Sequence, residues 1–320
     1  MEVKLLITNG GVTYEPVVED KIEWTTERRG TPGKLTFTVV KDNIINFQEG
    51  NAVNLYVDGT PVFYGFVFTK KRSKDGTIDV TSYDQLRYLK NKDTYVYTGK
   101  KASEVVKMIA DDFKLNVGEI EDTVYSITKM SESNKTLFDI IQNAIDTTLS
   151  NTKRLYVLYD DFGKLTLKNI ENMKTSVYID SECLEDFDYS TSIDGDTYNK
   201  VKLLYKDSNG GIGTAYTYQS GDSINKWGVL QYLKEINNIE GADTMAKMLL
   251  DLYNHKTRQL SLKGCFGNLG VRAGSSTVVN LNLGDIIVQN YFLCETVKHS
   301  FKHNQHSMDI KVIGRSEFVV

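Results

Sequence analysis

The side chains best suited to chemistry in this 320-residue chain are few and scattered. Of its four histidines, His299, His303 and His306 fall together in KHSFKHNQHSMD, and His255 stands apart. On an extended strand positions 299 and 303 share a face and 306 lies beyond a turn, a spacing at which three imidazoles could converge on a zinc ion. The same stretch aligns, however, with KKRSKDGT earlier in the chain, which holds no histidine. The expected state is therefore a solvated hairpin tip. Asp160-Asp161 and Asp111-Asp112 are paired carboxylates, but adjacent residues on a strand or helix point apart, whereas an acid–base pair must converge on one bond. They are expected at a turn and a helix end. No GxSxG elbow, P-loop, GxGxxG, CxxC or HExxH occurs, and each of those chemistries needs its local geometry. No catalytic, cofactor-binding or metal-ligating residue is assigned, no cofactor is expected, and the chain is expected not to be an enzyme.

Cys183, Cys265 and Cys294 are an odd number at wide spacing, in a chain too large to depend on disulfides. They are expected to be reduced and largely buried. With 40% apolar and 25% charged residues the composition is that of a globular protein. A net charge of −4 lacks the basic stripe of a sequence-specific nucleic-acid binder. No apolar run approaches the roughly twenty residues of a membrane span, and MEVKLLITNGGVTYEP lacks the basic and apolar regions of a signal peptide. No direct membrane insertion and no Sec export are expected.

The pattern that must position these residues occurs twice. Phe47 to Tyr83 and Asn280 to Arg315 each contain a Gly-plus-polar turn, two β-branched runs, a charged or amide-rich tip and a third run alternating apolar with polar. Alternation buries one face, so each copy predicts a three-strand antiparallel meander. Gly50-Asn51 aligns with Gly284-Asp285, Gly65-Phe66-Val67 with Cys294-Glu295-Thr296-Val297, and Ile78-Asp79-Val80 with Met308-Asp309-Ile310. Upstream, Ile22 to Thr26 followed by Lys34 to Phe37 parallels Phe187 to Thr191 followed by Lys200 to Tyr205. In the second copy about seventy residues then intervene before the meander, which predicts an insertion. QNYF in place of YVDGTPVF predicts a differently turned hairpin there, and Arg29-Gly30-Thr31-Pro32-Gly33 predicts a surface turn.

Between the copies the period changes. Ala102, Val105, Val106, Ile109, Ala110 and Phe113 recur at helical spacing, with Lys100, Lys101, Glu104, Lys107, Asp111 and Asp112 opposite. Leu137, Ile140, Ile141, Ala144, Ile145 and Thr148 form a second stripe, with Ser133 or Asn134 as its cap. Two strands flanking Asp160-Asp161-Phe162-Gly163 complete an α+β domain. Further on, Asn209-Gly210-Gly211 marks a turn, and Trp227 to Ile236 and Ala242 to His255 carry helical spacing. The expected fold is mainly β with α+β insertions. Residues 1–97 form a first tube-like antiparallel β-barrel, 98–175 the inserted α+β domain, and 176–320 a second barrel interrupted by a small helical insert at about 220–258.

In the order of these pieces the chain resembles the baseplate hub proteins of contractile phage tails, in particular those of PBSX-type prophages and phage-tail-like bacteriocins. The residues that carry the likeness are Ile22 to Phe37 (IEWTTERRGTPGKLTF), Gly50-Asn51-Ala52-Val53, Tyr64-Gly65-Phe66-Val67, Ser82-Tyr83-Asp84-Gln85 with Leu89-Lys90, Ser223 to Gln231, and Val271-Arg272-Ala273-Gly274-Ser275. The resemblance implies a homotrimer with two barrels per subunit making a pseudo-sixfold ring. Its partners would be a hexameric tail tube protein above, a trimeric spike protein below, and other baseplate and tape-measure proteins around it. It implies a particle assembled in the bacterial cytoplasm and residence in the baseplate of a virion or tail-like particle. The inserted domain is expected outside the ring, offering Lys100, Lys101, Lys107, Asp111 and Asp112 to surrounding proteins, while the barrels line the channel. Two other classes stay open on the residues alone. One is a tail-associated cell-wall hydrolase, which a zymogram would reveal. The other is a glycan- or receptor-binding β-protein using tyrosines as stacking platforms.

Overall fold

The structure, a computed structural model, describes residues 1–42, 44–206, 211–236, 239 and 241–314. The turn expected at Asn209-Gly210 and the end of the second repeat at Arg315 lie outside them. The chain divides into two compact units, one made of Met1–Phe187 and Ser261–Val312, the other chiefly of Asp188–Leu260.

The first repeat holds β1 (Val3–Asn9), β2 (Val12–Tyr14), β3 (Val18–Glu27), β4 (Lys34–Val40), β5 (Ala52–Val57), β6 (Thr60–Arg72) and β7 (Thr77–Tyr83). Its alternation works as expected: Leu35, Phe37 and Val39 of β4 and Val53, Leu55 and Val57 of β5 are buried in one apolar core with Trp24, Phe63, Val67 and Val80. The meander forms, with Leu55 opposite Phe63 and Phe66 opposite Tyr83. Asp58-Gly59 turns β5 into β6 with φ of 47° and 76°, the positive pair that a tight hairpin matching strand twist requires.

The stretch expected as an inserted α+β domain at 98–175 holds β8, which begins earlier (Lys92–Lys101), α1 (Ala102–Asp112), β9 (Val117–Ile120), β10 (Ser126–Thr136), α2 (Leu137–Thr152), β11 (Tyr156–Asp160) and β12 (Leu165–Asn169). The α2 stripe read from the sequence is the buried face of that helix, and its cap is Thr136, whose side chain accepts from Asp139 N, rather than Ser133 or Asn134. Both helices bury their stripes in a common core with Leu86, Leu89, Tyr97, Tyr156 and Leu165.

The rest of the chain holds β13 (Lys174–Ile179), β14 (Asp186–Ser192), β15 (Lys200–Lys206), β16 (Ile212–Gln219), α3 (Gly221–Trp227), β17 (Gln231–Ile236), α4 (Ala242–Tyr253), β18 (Thr257–Phe266), β19 (Ser276–Asn282), β20 (Ile287–Lys302) and β21 (Gln305–Gly314). The helix expected from Trp227 to Ile236 is not formed. Gly228 at φ 75° ends α3, and Gln231–Ile236 is a strand running parallel to β15. A short apolar run is ambiguous in period, and here pairing decides it. Strands β16, β15 and β17 form a sheet of their own, and its apolar side, Val201, Leu203 and Ile236, packs with Ala242 and Ala246 of α4.

The two repeats share a thirteen-stranded sheet whose path is β14-β18-β21-β20-β3-β4-β7-β6-β5-β1-β2, with β19 on β20 and β13 on β19. The run β14-β18-β21-β20 therefore repeats β3-β4-β7-β6, and the counterpart of β4 is β18. Lys200 to Tyr205, expected in that role, belongs instead to the separate sheet of the second unit. No closed barrel forms among the described residues.

The pairing also corrects the repeat alignment. Gly50 N donates to Val67 O at 2.8 Å and Val67 N to Asn51 O at 2.9 Å; Gly274 N donates to Cys294 O at 2.8 Å and Cys294 N to Ser275 O at 2.9 Å. Gly50 and Gly274, at φ 85° and 90°, are thus the equivalent pair, while Gly284 sits in the β19–β20 turn and QNYF lies within an unbroken β20. Gly65, opposite Val53, is a close-approach position: a Cβ there would stand 2.3 Å from Tyr83 O and 2.6 Å from the Phe63 ring. Because backbone must yield, Gly65→Ala is expected to cost about 2 kcal/mol in urea unfolding; an unchanged midpoint would show that β6 and β7 separate freely.

Candidate functional site

The feature that distinguishes this fold is the joint where the second repeat is sewn to the first. Strand β20 is long enough to serve two neighbours on one edge. Its first half pairs with β19, up to Leu293 opposite Ser276. Its second half, from Thr296 opposite Glu27 to Lys302 opposite Lys21, pairs antiparallel with β3. At the joint Trp24 stacks on His299, with centroids 4.9 Å apart. Thr26 Oγ1 accepts from Ala273 N at 3.0 Å, and Arg28 Nε meets Glu295 Oε2 at 2.5 Å. At the surface Lys298 lies 3.7 Å from Glu23.

His299 is wholly buried in this joint, which overturns the solvated-tip reading; of the three clustered histidines, His303 alone sits at the exposed tip. His299 Nε2 is 2.9 Å from Val271 O and so carries the proton, which leaves Nδ1 to accept from His306 Nε2 at 2.8 Å. Burial, with His306 beside it, pushes His299 down to about 3, so it stays a neutral core ring. Among the described residues no group of three His, Cys, Asp or Glu side chains could hold a metal ion.

Against the joint lies a polar cluster assembled from pieces far apart in sequence. The Arg272 guanidinium stands 3.9 Å from the Tyr159 ring and 5.9 Å from Trp24, and Nη2 donates to Asp160 O at 3.0 Å. Asp84 is buried and accepts from Gly33 N at 2.8 Å and Leu86 N at 3.0 Å. Asp160, read from sequence as a turn residue, is also buried, and accepts from Gly163 N at 2.7 Å. Burial raises both carboxyls, and the Asp160 charge raises Asp84 further, so that Asp160 stands at about 6 and Asp84 well above its usual range; Arg272 pulls both the other way. The Arg29 to Gly33 loop is likewise not all surface, since Pro32 and Gly33 are buried and a Cβ on Gly33 would meet Asp84 Oδ2 at 2.3 Å. First repeat, inserted domain and second repeat are thus pinned at one point.

The residues expected to face other proteins are placed unevenly. Lys100 and Lys101 end β8, and Lys101 is also the N-cap of α1, its backbone N donating to Glu104 Oε2 at 2.7 Å. Lys101 Nζ pairs with Asp122 at 2.7 Å, and Asp112 accepts from Tyr95 Oη at 2.7 Å. Lys107 and Asp111 are exposed on α1. The inserted domain meets the first repeat through Phe162, whose ring lies 5.4 Å from Tyr56 and 5.9 Å from Tyr64. All three cysteines are free thiols; Cys265 and Cys294 are buried, which raises both to about 12, whereas Cys183 is only half-buried.

The fold is one found in tail proteins. It matches the 43 kDa tail protein of prophage MuSo2 from Shewanella oneidensis with a TM-score of 0.72 at 15% identity, covering 97% of this chain and 98% of that one. It also matches E. coli c3393, a component of the type VI secretion system with structural similarity to the T4 tail proteins gp27 and gp5, with a TM-score of 0.55 at 11% identity, covering 100% of this chain and 78% of that one. The fold class is thus the one shared by these tail and secretion-system proteins. A family model described as YQBQ-like matches residues 22–313, and the chain belongs to that family. Among its relatives is the phage-like element PBSX protein XkdQ of Bacillus subtilis (strain 168), 28% identical over 313 residues that cover 94% of each chain.

Proposed function

We propose that this chain is the structural hub of a contractile tail baseplate. In this reading it is a homotrimer of pseudo-sixfold symmetry that joins a hexameric tail tube to a trimeric spike in a virion or tail-like particle. The observation that carries the reading is the duplication itself. Each chain supplies two copies of the strand order β3-β4-β7-β6, joined edge to edge, and a threefold body can match a sixfold one only if each subunit presents two similar modules. The likeness to a type VI secretion component that shares structure with gp27 and gp5 supports the same role. Native mass spectrometry of the chain co-expressed with its spike should show three copies of each; a dimer or hexamer of the chain would sink the trimer.

The inserted domain serves, in the same proposal, as the outward contact to surrounding baseplate proteins through Lys100, Lys101, Lys107, Asp111 and Asp112. Lys107 and Asp111 carry most of it, because Lys101 and Asp112 are engaged within their own domain. Reversing Lys107 and Asp111 together should leave thermal unfolding within about 0.5 kcal/mol of the parent, as for exposed charges generally. Spike binding should persist while attachment to the surrounding baseplate weakens. Lost spike binding with intact outer attachment would place the domain on the wrong surface.

A further inference from the structure

Seven aromatic rings form one unbroken chain of contacts over the first repeat, outside its core. Phe162 sits between Tyr56 and Tyr64, at 5.4 and 5.9 Å. From Tyr64 the contacts continue through Phe66, Tyr88 and Phe68 to Tyr83, at successive centroid distances of 5.6, 6.2, 6.1 and 5.5 Å. All seven are half-buried, and none belongs to the core of the first repeat or of the inserted domain. Tyr56, Tyr64 and Phe66 alternate with the core residues Leu55, Phe63 and Val67, so they stand on the opposite face of their strands. One end of this stripe is occupied by the chain itself. Phe162 and Gly163, at φ 46° and 83°, form a hairpin tip that presents the Phe162 ring, and a Cβ on Gly163 would stand 2.6 Å from the Tyr64 ring. At the other end the rings of Phe68, Tyr83 and Tyr88 meet, among the described residues, one another, Phe66 and the Arg87 guanidinium, which lies 5.4 Å from the Phe68 centroid. Lys34 stands opposite Tyr83 on the neighbouring strand, and neither Lys34 nor Arg87 is ion-paired among the described residues.

We propose that the Phe66–Tyr88–Phe68–Tyr83 end is a docking site for a turn of another protein, one that presents an aromatic or large aliphatic side chain flanked by carboxylates. The partner supplies at this end what Phe162 supplies at the other. Three observations choose this occupant. Neighbouring rings of the stripe meet at interplanar angles of 53° to 77°, which makes ridges and slots that take inserted side chains, and not the flat open face on which a sugar ring stacks. The two unpaired cations beside the slots favour a partner with negative charge next to the inserted group. The chain's own tip joins the same two chemistries, since exposed Asp161 directly precedes Phe162. A second copy cannot lend that tip, because each copy's Phe162 is already held between its own Tyr56 and Tyr64. Tyrosine and arginine set among phenylalanines are also the residue types that carry most of the energy where proteins meet. The inference goes beyond the hub reading and does not depend on it.

The test uses the full-length chain and, as probe, a fluorescent cyclised peptide with the sequence of residues 157–166, VLYDDFGKLT, read by anisotropy. The probe should bind saturably, and Tyr88→Ser and Arg87→Glu should each weaken it by about tenfold or more. A probe carrying Asp160→Asn and Asp161→Asn should bind more weakly by a similar factor, whereas Phe162→Ala in the chain should leave the affinity unchanged. Should Tyr88→Ser lower the thermal midpoint, Arg87→Glu alone decides. No binding up to about 1 mM, or binding that Arg87→Glu does not weaken, overturns the proposal. Tighter binding to the Phe162→Ala chain, with no effect of Tyr88→Ser, would show that the probe only displaces the internal tip, and overturns it as well. Binding of an N-acetylglucosamine tetramer that Tyr88→Ser abolishes would make the occupant a glycan, and self-association that Tyr88→Ser abolishes would make it a second copy; either result also overturns the assignment.

Discussion

Replacing Arg272 with methionine should lower the free energy of unfolding by about 3 kcal/mol at pH 8, and by clearly less at pH 5. Breaking a buried charge arrangement by removing one member leaves the other without compensation, and this guanidinium is the cation set against Asp84 and Asp160. The figure sits at the low end of the usual range because Arg272 keeps part of its surface in water. Methionine retains much of the packing volume against Tyr159, so the loss reports charge and the cation–π contact more than a cavity. Without the guanidinium the two carboxyls hold their protons to higher pH in the folded state, while in the unfolded chain they ionise freely. Folding then takes up protons at pH 8, and the variant weakens as pH rises. Urea unfolding at the two pH values, repeated for Arg272→Met combined with Asp160→Asn, decides the matter. The double variant should recover about 1 kcal/mol or more relative to additivity, and strict additivity would show that the guanidinium does not serve these carboxyls.

Much of the architecture was open to reading because it is local. The stripes of α1 and α2 are periodic over three turns or more, and Asp58-Gly59 meets the backbone demand of a tight hairpin, so element type follows from neighbouring residues. What escaped depends on pairing across the chain. Whether Lys200 to Tyr205 or Thr257 to Phe266 continues β14 is decided by which strand reaches β21, and both segments alternate well enough. The repeat alignment slipped for a similar reason: Gly284 and Gly274 are both glycines at turns before apolar runs, and only the bonds to Val67 and Cys294 tell which one matches Gly50. Burial of polar groups was the least visible. Asp160, Asp84, Arg272 and His299 carry residue types that normally face water, and each is enclosed by segments more than fifty residues away. A signal was nevertheless present. Three of the pieces that carried the family likeness, Ile22 to Phe37 with Trp24 and Gly33, Ser82 to Gln85 with Asp84, and Val271 to Ser275 with Arg272, had no chemistry assigned to them, and they are the pieces that meet in this cluster.

Stability should therefore respond to pH in two opposed ways, separable by one isosteric change. Asp160, raised to about 6 in the folded chain from an ordinary 3.8, binds its proton more tightly when folded. Its contribution is present in full below the unfolded value and is lost as pH rises through about 6. His299, lowered from 6.5 to about 3, does the reverse: its contribution is present above 6.5 and is lost as pH falls from there toward 3. Between about pH 4 and 6.5 the two slopes cancel in part, which flattens the acid limb of the parent. Asparagine at position 160 can still accept from Gly163 N and never ionises, so it mimics the protonated acid. Asp160→Asn should gain on the parent by roughly 2 to 3 kcal/mol between pH 4.5 and 7.5, following the size of the Asp160 shift. The histidine slope, then opposed only by the raised Asp84, should appear as a steeper loss of stability toward acid than in the parent. Urea midpoints for both proteins across this range make the comparison, and parallel curves would mean that Asp160 titrates as though it were in water.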